Sequence, residues 1–360
     1  MDAHTNARSV LTAMSGGVDS TVAAALLQKQ GYTVAGATLK LFDTDEARQS
    51  RTCCSLSDVE DAKAACVKLG IPHYVFNFKD RFESTVIRRF VDAYLAGKTP
   101  NPCIDCNRFV KITALLERAW QLGFDGLATG HYARGGWNAM QSRPLLKKAR
   151  DADKDQTYVL YMLTPMQLNS IQFPLGDLTK GEVREAAADY GFWNAEKPDS
   201  QDICFVPDGD YGSFLERYLG RTFPPGNFVG EAGQILGQHR GYQRYTIGQR
   251  KGLGLALPAP AFVWKIDPDA NAVHVGNSSR LYSDTLLINE INLIPMDRLD
   301  APIRCTAKIR YRAREAACTA EQIGADEIRV KFDEPQRAIT PGQACVLYDG
   351  DVVIGGGTIQ

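Results

Sequence analysis

Between Ser9 and His131, short apolar runs rich in β-branched residues alternate with longer amphipathic stretches, and a glycine pair sits at the first junction. Ser9 to Ala13 reads as a strand, Val18 to Gln30 as a helix closed by Gly31, and Tyr32 to Leu39 as a second strand. Ser57 and Glu60 suggest a capping box for a helix ending near Gly70. His73 to Phe78 is a strand and Arg81 to Ala96 a helix; Thr99 to Asn107 is a loop bearing proline and cysteines. A helix then runs to Leu122, before a strand from Gly126 to His131. Strands separated by helices predict an α/β fold: an open, mostly parallel sheet with helices on both faces and ligands at the carboxyl ends of its strands.

Near residue 205 the texture changes. Tyr211 to Leu219 is one more helix. Beyond it, Phe262 to Ile266, Ala272 to Val275, Arg304 to Arg310, Ile328 to Phe332 and Ala344 to Tyr348 read as short strands separated by turns such as Asp349-Gly350. That spacing predicts a small barrel or sandwich. The expected division is a first domain over 1–209, a small middle module over 210–275 and a C-terminal β-barrel over 276–360.

Composition narrows the class. With 41 basic and 42 acidic residues, the formal charge is 41 − 42 = −1, which excludes a generally basic, histone-like chain but not a local basic face. No apolar run reaches the ~18 residues of a membrane-spanning helix, and Met1 to Ser9 lacks the apolar stretch of a signal peptide. Nine cysteines in 360 residues are too few for a disulfide-stapled secreted scaffold. A reducing, cytoplasmic setting is expected, with no membrane partner. There a cysteine is core filler, as expected for Cys66, Cys305, Cys318 and Cys345, or a working thiol.

Ser15-Gly16-Gly17-Val18-Asp19-Ser20 lies between the first strand and helix. Adjacent glycines let the backbone turn tightly and present its N–H groups, and the helix start adds partial positive charge, so the place suits a phosphate. The serines can add hydroxyl donors, and Asp19 can hold a magnesium ion riding on phosphate. There is no Gly-Lys-Ser/Thr ending, so this is not a Walker loop.

Two cysteine sites stand out: Asn101-Pro102-Cys103-Ile104-Asp105-Cys106-Asn107, read as directly preceding a helix, and Asp199-Ser200-Gln201-Asp202-Ile203-Cys204-Phe205. A thiol near a helix N-terminus is biased toward thiolate. Two thiols that meet in space can carry sulfur, one as a persulfide and the other resolving it as a disulfide. The competing expectation is zinc or an iron–sulfur cluster on Cys103, Cys106, Cys53 and Cys54, although no second Cys-x-x-Cys supports it.

The loop at Ser15–Ser20, Asn101–Asn107, Ala128-Thr-Gly-His-Tyr-Ala133, Lys154-Asp-Gln-Thr-Tyr158, Asp199–Phe205 and Thr340-Pro-Gly-Gln343 occur in one order. Together they resemble the tRNA-specific 2-thiouridylases, a bacterial branch of the PP-loop ATP pyrophosphatases, over essentially the whole chain. The resemblance implies a PP-loop domain, a linking module and a C-terminal barrel. It implies Cys106 as catalytic nucleophile, with Asp105 a candidate neighbour, Cys204 as persulfide carrier, and a transient Cys106–Cys204 disulfide. Ala13, Met14, Ser15, Gly16, Gly17, Val18, Asp19, Ser20, Leu39 and Gly130 would contact ATP, with Mg2+ accompanying the nucleotide. Asn101, Pro102 and Cys103 would face the target base; the family pattern has Asp where this chain has Cys103. His131, Lys154, Asp155, Gln156, Arg310, Tyr311 and Gln343 would contact tRNA. The implied activity is ATP-dependent 2-thiolation of wobble uridine through an adenylated base, by a monomer supplied by a persulfide sulfur-relay donor protein.

Charge patterning also points to RNA. Arg240, Arg244, Arg250, Lys251 and Lys265 occur with Tyr242 and Tyr245 in a stretch free of acids. Arg304, Lys308, Arg310, Arg312 and Arg314 form a second basic run around Tyr311, and on one strand Lys308 to Arg314 would share a face. Lys147, Lys148 and Lys154 are candidates for a third contact, offset by Asp151, Asp153 and Asp155. Two rival functions remain at this point: a PP-loop ligase or amidotransferase acting on a free metabolite, and an RNA-binding module with structural metal.

Overall fold

A five-stranded parallel sheet organises the first part of the computed structural model, which describes residues 8–41, 56–194 and 203–360. Its strands are β1 (Ser9–Ala13), β2 (Thr33–Lys40), β3 (His73–Asn77) and β4 (Gly126–Ala128). An antiparallel hairpin, β5 (Arg134–Asn138) and β6 (Arg143–Lys147), intervenes before the fifth strand, β7 (Ile171–Gln172). The order β3-β2-β1-β4-β7 reverses direction between β1 and β4. That reversal opens a crevice at the carboxyl ends of the two strands, where doubly wound sheets bind ligands. The interior of β1 and nearly all of β2 are buried, as a parallel sheet covered on both faces requires.

Helix α1 (Val18–Lys29) follows the glycine pair and is buried on two sides. Val22 and Ala23 pack with Val183 and Ala187, whereas Ala24 and Leu27 pack with Ala62, Ala65 and Cys66. Its end is a Schellman turn: Gly31, at φ +87°, donates to Gln28 O, and Tyr32 N–H reaches Leu27 O. Helix α2 (Leu56–Leu69) already contains Ser57 in its first turn, so the expected cap at Ser57 is not the helix boundary. The helix expected from Arg81 is the continuous run α3 of Lys79–Phe82, Glu83–Ile87 and Arg88–Leu95, the middle piece wound as a wider π turn.

The loop expected over Thr99 to Asn107 is shorter than the sequence suggests. Helix α4 begins at Pro102 and runs through Pro102–Asp105, a π segment Cys106–Ile112 and Thr113–Gln121. Proline suits the first helical position because its missing N–H would have no partner there. Two further helices, α5 (Pro165–Asn169) and α6 (Lys180–Asp189), each carry a full capping box, on Thr164/Gln167 and Thr179/Glu182.

By its internal contacts the chain divides into two units. The first holds residues up to Val86, Cys103–Gly209 and Asp351–Val353; the second holds Ile87–Pro102, Asp210–Gly350 and Ile354–Gln360. In the second unit, α7 (Tyr211–Leu219) is capped by Asp210, which accepts from Ser213 N at 2.9 Å, and ends at Gly220 with φ 64°. Next come β8 (Gly226–Val229), β9 (Ile235–His239), β10 (Phe262–Asp267) and β11 (Ala272–Gly276), in the order β10-β11-β8-β9 around Phe228, Val263, Val273 and Val275.

The remaining strands are β12 (Tyr282–Leu293), β13 (Ile303–Lys308), β14 (Ala316–Gly324), β15 (Glu327–Arg337), β16 (Ala344–Asp349) and β17 (Val352–Ile359). They follow the order β12-β15-β14-β13-β16-β17, and β17 returns to β12, closing a six-stranded barrel. Ile288, Val330, Phe332 and Leu347 fill it. Strand β13 stops at Lys308, so Arg310, Arg312 and Arg314 do not continue the expected basic strand face. They lie in the connection to β14.

Candidate active site

Gly16 and Gly17 shape the crevice mouth. Gly16 sits at φ +71°, and a Cβ there would stand 2.5 Å from Asp58 O. Gly17 is the extended residue before α1, and no side chain caps that helix. Gly130, just past β4, approaches so closely that a Cβ would lie 2.8 Å from Ser20 N. The main chain is therefore bare on both sides of the loop, as a cradle for an anion held by amides requires.

Side chains hold that loop from behind. Ser20 Oγ accepts from Ser15 N at 3.2 Å and donates to Gly17 O at 3.1 Å, and Thr21 Oγ1 donates to the same carbonyl at 3.0 Å. Ser20 thus shapes the loop, where the sequence suggested a donor aimed at phosphate. Buried Asn194 donates to Gly16 O at 3.1 Å. Thr38 Oγ1 donates to Met14 O at 2.9 Å and faces His73 Nε2 at the same distance. Leu39 lies buried on β2.

Asp19 is committed. Lys180 Nζ lies 2.7 Å and 2.8 Å from its two carboxylate oxygens, and Tyr132 OH donates to the first at 2.9 Å. The Asp19 carboxylate is thus held in an ion pair, and a magnesium ion bound there would share its oxygens with the Lys180 ammonium. Lys180, 161 residues from Asp19, neutralises the one carboxylate of the loop. Its sequence neighbourhood looks like an ordinary helix start.

His131 follows β4, which ends at Ala128 rather than at the histidine. Its Nδ1 lies 3.0 Å from Thr129 Oγ1. Burial, with Lys111 adding repulsion, pushes the ring pKa down to about 3. Between the ordinary value of 6.5 and about 3, the unfolded chain takes up a proton that the folded ring refuses, so His131 makes stability fall as pH drops through that window. We expect His131→Gln to lessen the fall in melting temperature between about pH 7 and about pH 4.5; an unchanged fall would refute this.

Lys154, Asp155 and Gln156 brace the same corner. Gln156 Oε1 accepts from Tyr132 N at 2.8 Å, and Gln156 N donates to Tyr132 O at 2.9 Å. Asp155 is buried, accepting from Ala149 N at 3.1 Å and Thr157 Oγ1 at 2.7 Å. Lys154 is half-buried at the edge of this turn.

Cys106 is buried and opens the π segment of α4, Cys103 in the preceding turn is exposed, and Cys204 is half-buried. Cys106 lies past the first turn from Pro102, where the helix-dipole effect fades, so the expected dipole activation is weaker than the sequence suggested. The Lys79–Phe82 segment packs against Cys106–Ile112, and the Phe82 ring meets Phe205 edge-on at 5.8 Å. Both thiol-bearing segments therefore rest on one short stretch of helix. Asp105 is the last residue before the π segment. Cys53, Cys54 and the Asp199–Asp202 part of the second motif lie outside the described residues. Among the described residues, no cluster of three or more histidine, cysteine, aspartate or glutamate side chains could hold a metal ion, and no helix is long and apolar enough to cross a membrane.

Residues 8–208 match a family model described as a tRNA methyl transferase HUP domain, 212–277 the corresponding PRC-barrel domain, and 283–359 an aminomethyltransferase β-barrel domain. A tRNA-specific 2-thiouridylase of Acetivibrio thermocellus is 51% identical over 356 residues, covering 98% of this chain and 99% of the relative. Another, from Symbiobacterium thermophilum, is 53% identical over 98% of this chain and 92% of its own. The chain belongs to the tRNA-specific 2-thiouridylase family.

In this family member the second unit holds the remaining candidate residues. Gln343 Nε2 donates to Thr99 O at 2.8 Å, and Thr99 N donates to Pro341 O at 2.8 Å. The Thr340–Gln343 motif therefore anchors the segment leading to Asn101 and Pro102, a structural use that the sequence did not reveal. Arg310 donates to the carbonyls of Arg337 and Ala338, and Tyr311 beside it is exposed. Two residues of the first basic stretch are structural instead. Arg244 pairs with Glu216 at 2.5 Å and Asp210 at 3.4 Å, and Tyr245 is buried against Phe228. Arg304 is held by Asp333 through two bonds, at 2.8 Å and 2.7 Å.

Proposed function

We propose that the chain converts uridine to 2-thiouridine at the wobble position of tRNA, using ATP and a persulfide carried on Cys204. The observation that carries this reading is the seating of both thiol-bearing segments on Lys79–Phe82, in the unit that also holds the glycine cradle.

The uridine C2 oxygen is a poor leaving group. Transfer of AMP from ATP to that oxygen releases pyrophosphate and makes AMP the next leaving group. The amides around Gly16 and Gly17 hold the pyrophosphate portion, and Lys180 offsets the Asp19 carboxylate that would otherwise repel it. The terminal sulfur of the Cys204 persulfide attacks C2 and expels AMP. The Cys106 thiolate attacks the inner sulfur, so the 2-thiouridine leaves and a Cys106–Cys204 disulfide remains. An alternative order releases hydrosulfide first and yields the same disulfide. Two electrons from an external dithiol reset the pair, and a persulfide relay protein reloads Cys204.

Asn101 to Cys103 are assigned to the target base, which must be unstacked at a cost of a few kcal/mol. His131, Lys154 to Gln156, Arg310, Tyr311 and Gln343 are assigned to tRNA. Magnesium accompanies ATP on the phosphates. A monomeric protein acting in the cytoplasm completes the reading.

The test is nucleoside mass spectrometry of tRNA from cells with and without the gene. Loss of 2-thiouridine derivatives, restored by complementation, is expected. Unchanged derivatives, together with ATP turnover that ignores added tRNA, would instead favour a metabolite ligase.

A further inference from the structure

The barrel carries a pair of sulfurs that the proposed thiolation does not use. Cys305 on β13 and Cys318 on β14 are register partners in an antiparallel pair, and their Sγ atoms lie 3.6 Å apart. Directly opposed residues of antiparallel strands have Cα atoms about 4.5–5.5 Å apart, inside the range that a disulfide bridges without backbone rearrangement. We propose that Cys305 and Cys318 form a reversible cross-strand disulfide when the protein meets a small disulfide oxidant such as glutathione disulfide.

Access and chemistry favour Cys305 as the first thiol to react. It is half-buried, whereas Cys318 is fully buried. The hydrogen bond from Cys318 holds the Cys305 thiol below its ordinary range against the effect of burial, and the Arg304 guanidinium helps. The same bond, together with burial, pushes the Cys318 thiol up. This is the asymmetry of an attacking thiolate backed by a resolving thiol. The Cys305 thiolate attacks glutathione disulfide and expels one glutathione thiolate, giving a mixed disulfide. Cys318 loses its proton and attacks Cys305 Sγ, expelling the second. Two protein thiols and one glutathione disulfide become one protein disulfide and two glutathiones.

Cys345 is the third sulfur in this core. It lies on β16 and is fully buried, and burial pushes its thiol up. Strand β16 meets β13 at Thr306, Ala307 and Lys308, so Cys345 has no register partner of its own kind there. The pairing therefore commits to Cys305 and Cys318.

The bond would sit at the root of the β13–β14 hairpin. Register pairs Thr306–Ala317 and Ala307–Ala316 follow it, and beyond them the connection carries Arg310, Tyr311, Arg312 and Arg314. Oxidation closes a covalent ring around that connection and restricts the motion of its base. The consequence for RNA rests on the function proposed above, whereas the disulfide itself does not.

The two are read separately. The full chain is incubated with glutathione disulfide, its remaining thiols are blocked, and it is digested by trypsin without reductant. The expected product is the peptide Cys305–Lys308 joined to Glu315–Arg329, two hydrogens lighter than their sum and released by dithiothreitol. Cys305→Ser should remove that product and leave the Cys318 peptide blocked as a free thiol. Absence of the joined peptide in wild type, or joining of either peptide to the Ala338–Gln360 fragment instead, overturns the proposal. Fluorescence anisotropy with labelled tRNA then compares oxidised and reduced protein on a Cys106→Ala/Cys204→Ala background. A shift of threefold or more in affinity is expected. An unchanged affinity with the joined peptide present overturns the RNA consequence alone.

Discussion

Cys204→Ser is expected to abolish thiolation, with turnover falling at least roughly a thousandfold, the scale of loss when a covalent group is removed. ATP affinity should stay within about twofold, because the phosphates are assigned to the backbone amides of the glycine loop. Serine matches cysteine in shape at this half-buried position but cannot hold a persulfide sulfur. Cys106→Ser should fail differently. Its Cys204 tryptic peptide should retain one extra sulfur atom after incubation with a persulfide donor, since the resolving thiol is gone. Cys103→Ser, at an exposed residue assigned to the target base, should weaken use of tRNA but still form the Cys106–Cys204 disulfide, because Cys106 and not Cys103 opens the π segment against Lys79–Phe82. Wild-type thiolation by Cys204→Ser would remove the carrier from the scheme; loss of activity in Cys103→Ser with activity intact in Cys106→Ser would exchange the two thiols' roles.

What the sequence revealed of this fold followed from interactions between near neighbours. Gly31 ends α1 because a positive φ is needed one residue past the C-cap Gln30, and only glycine meets that need without strain. Helix α7 was legible as Tyr211 to Leu219, the bounds it has, and the structure caps it with Asp210 and ends it at Gly220, φ 64°, each within one turn of the helix. The start of α4 was hidden by its own proline. Pro102 read as a loop residue, yet it occupies the first helical position. The closing barrel strands β12, β14 and β17 were missed because a barrel satisfies their backbones by long-range pairing that no local pattern announces.

The site shows the same division. The glycine loop and the two cysteine motifs stand out because their residue types are contiguous. Lys180 and Asn194 did not, since each reaches the loop across more than 150 residues of chain. Their side chains pair with Asp19 and supply the brace behind Gly16. Within the first basic stretch, Arg244 misled for the converse reason. It lacks acids in its own stretch, but the fold brings Asp210 and Glu216 to it. A charge pattern reports a surface only where no distant partner neutralises it.

Gly16→Ala is expected to lower ATP affinity at least about tenfold, equivalent to about 1.4 kcal/mol. Two separate strains act at this residue. A non-glycine residue at φ +71° costs roughly 1–2 kcal/mol, and a Cβ placed 2.5 Å from Asp58 O forces one of two backbones to move. The Asp58 backbone is fixed inside α2, so the loop gives way, and the amides lining the cradle turn out of alignment. Gly31→Ala separates the two strains. Its φ of +87° imposes a similar conformational strain, but nothing lies within 4 Å of its Cβ. That variant should lose melting temperature, by about 2–4 °C for each kcal/mol, and keep its ATP affinity. Isothermal titration with a non-hydrolysable ATP analogue measures both variants. If Gly16→Ala binds as tightly as wild type while Gly31→Ala melts lower, the close approach of loop and helix is not what shapes the cradle, and the nucleotide is held elsewhere in the crevice.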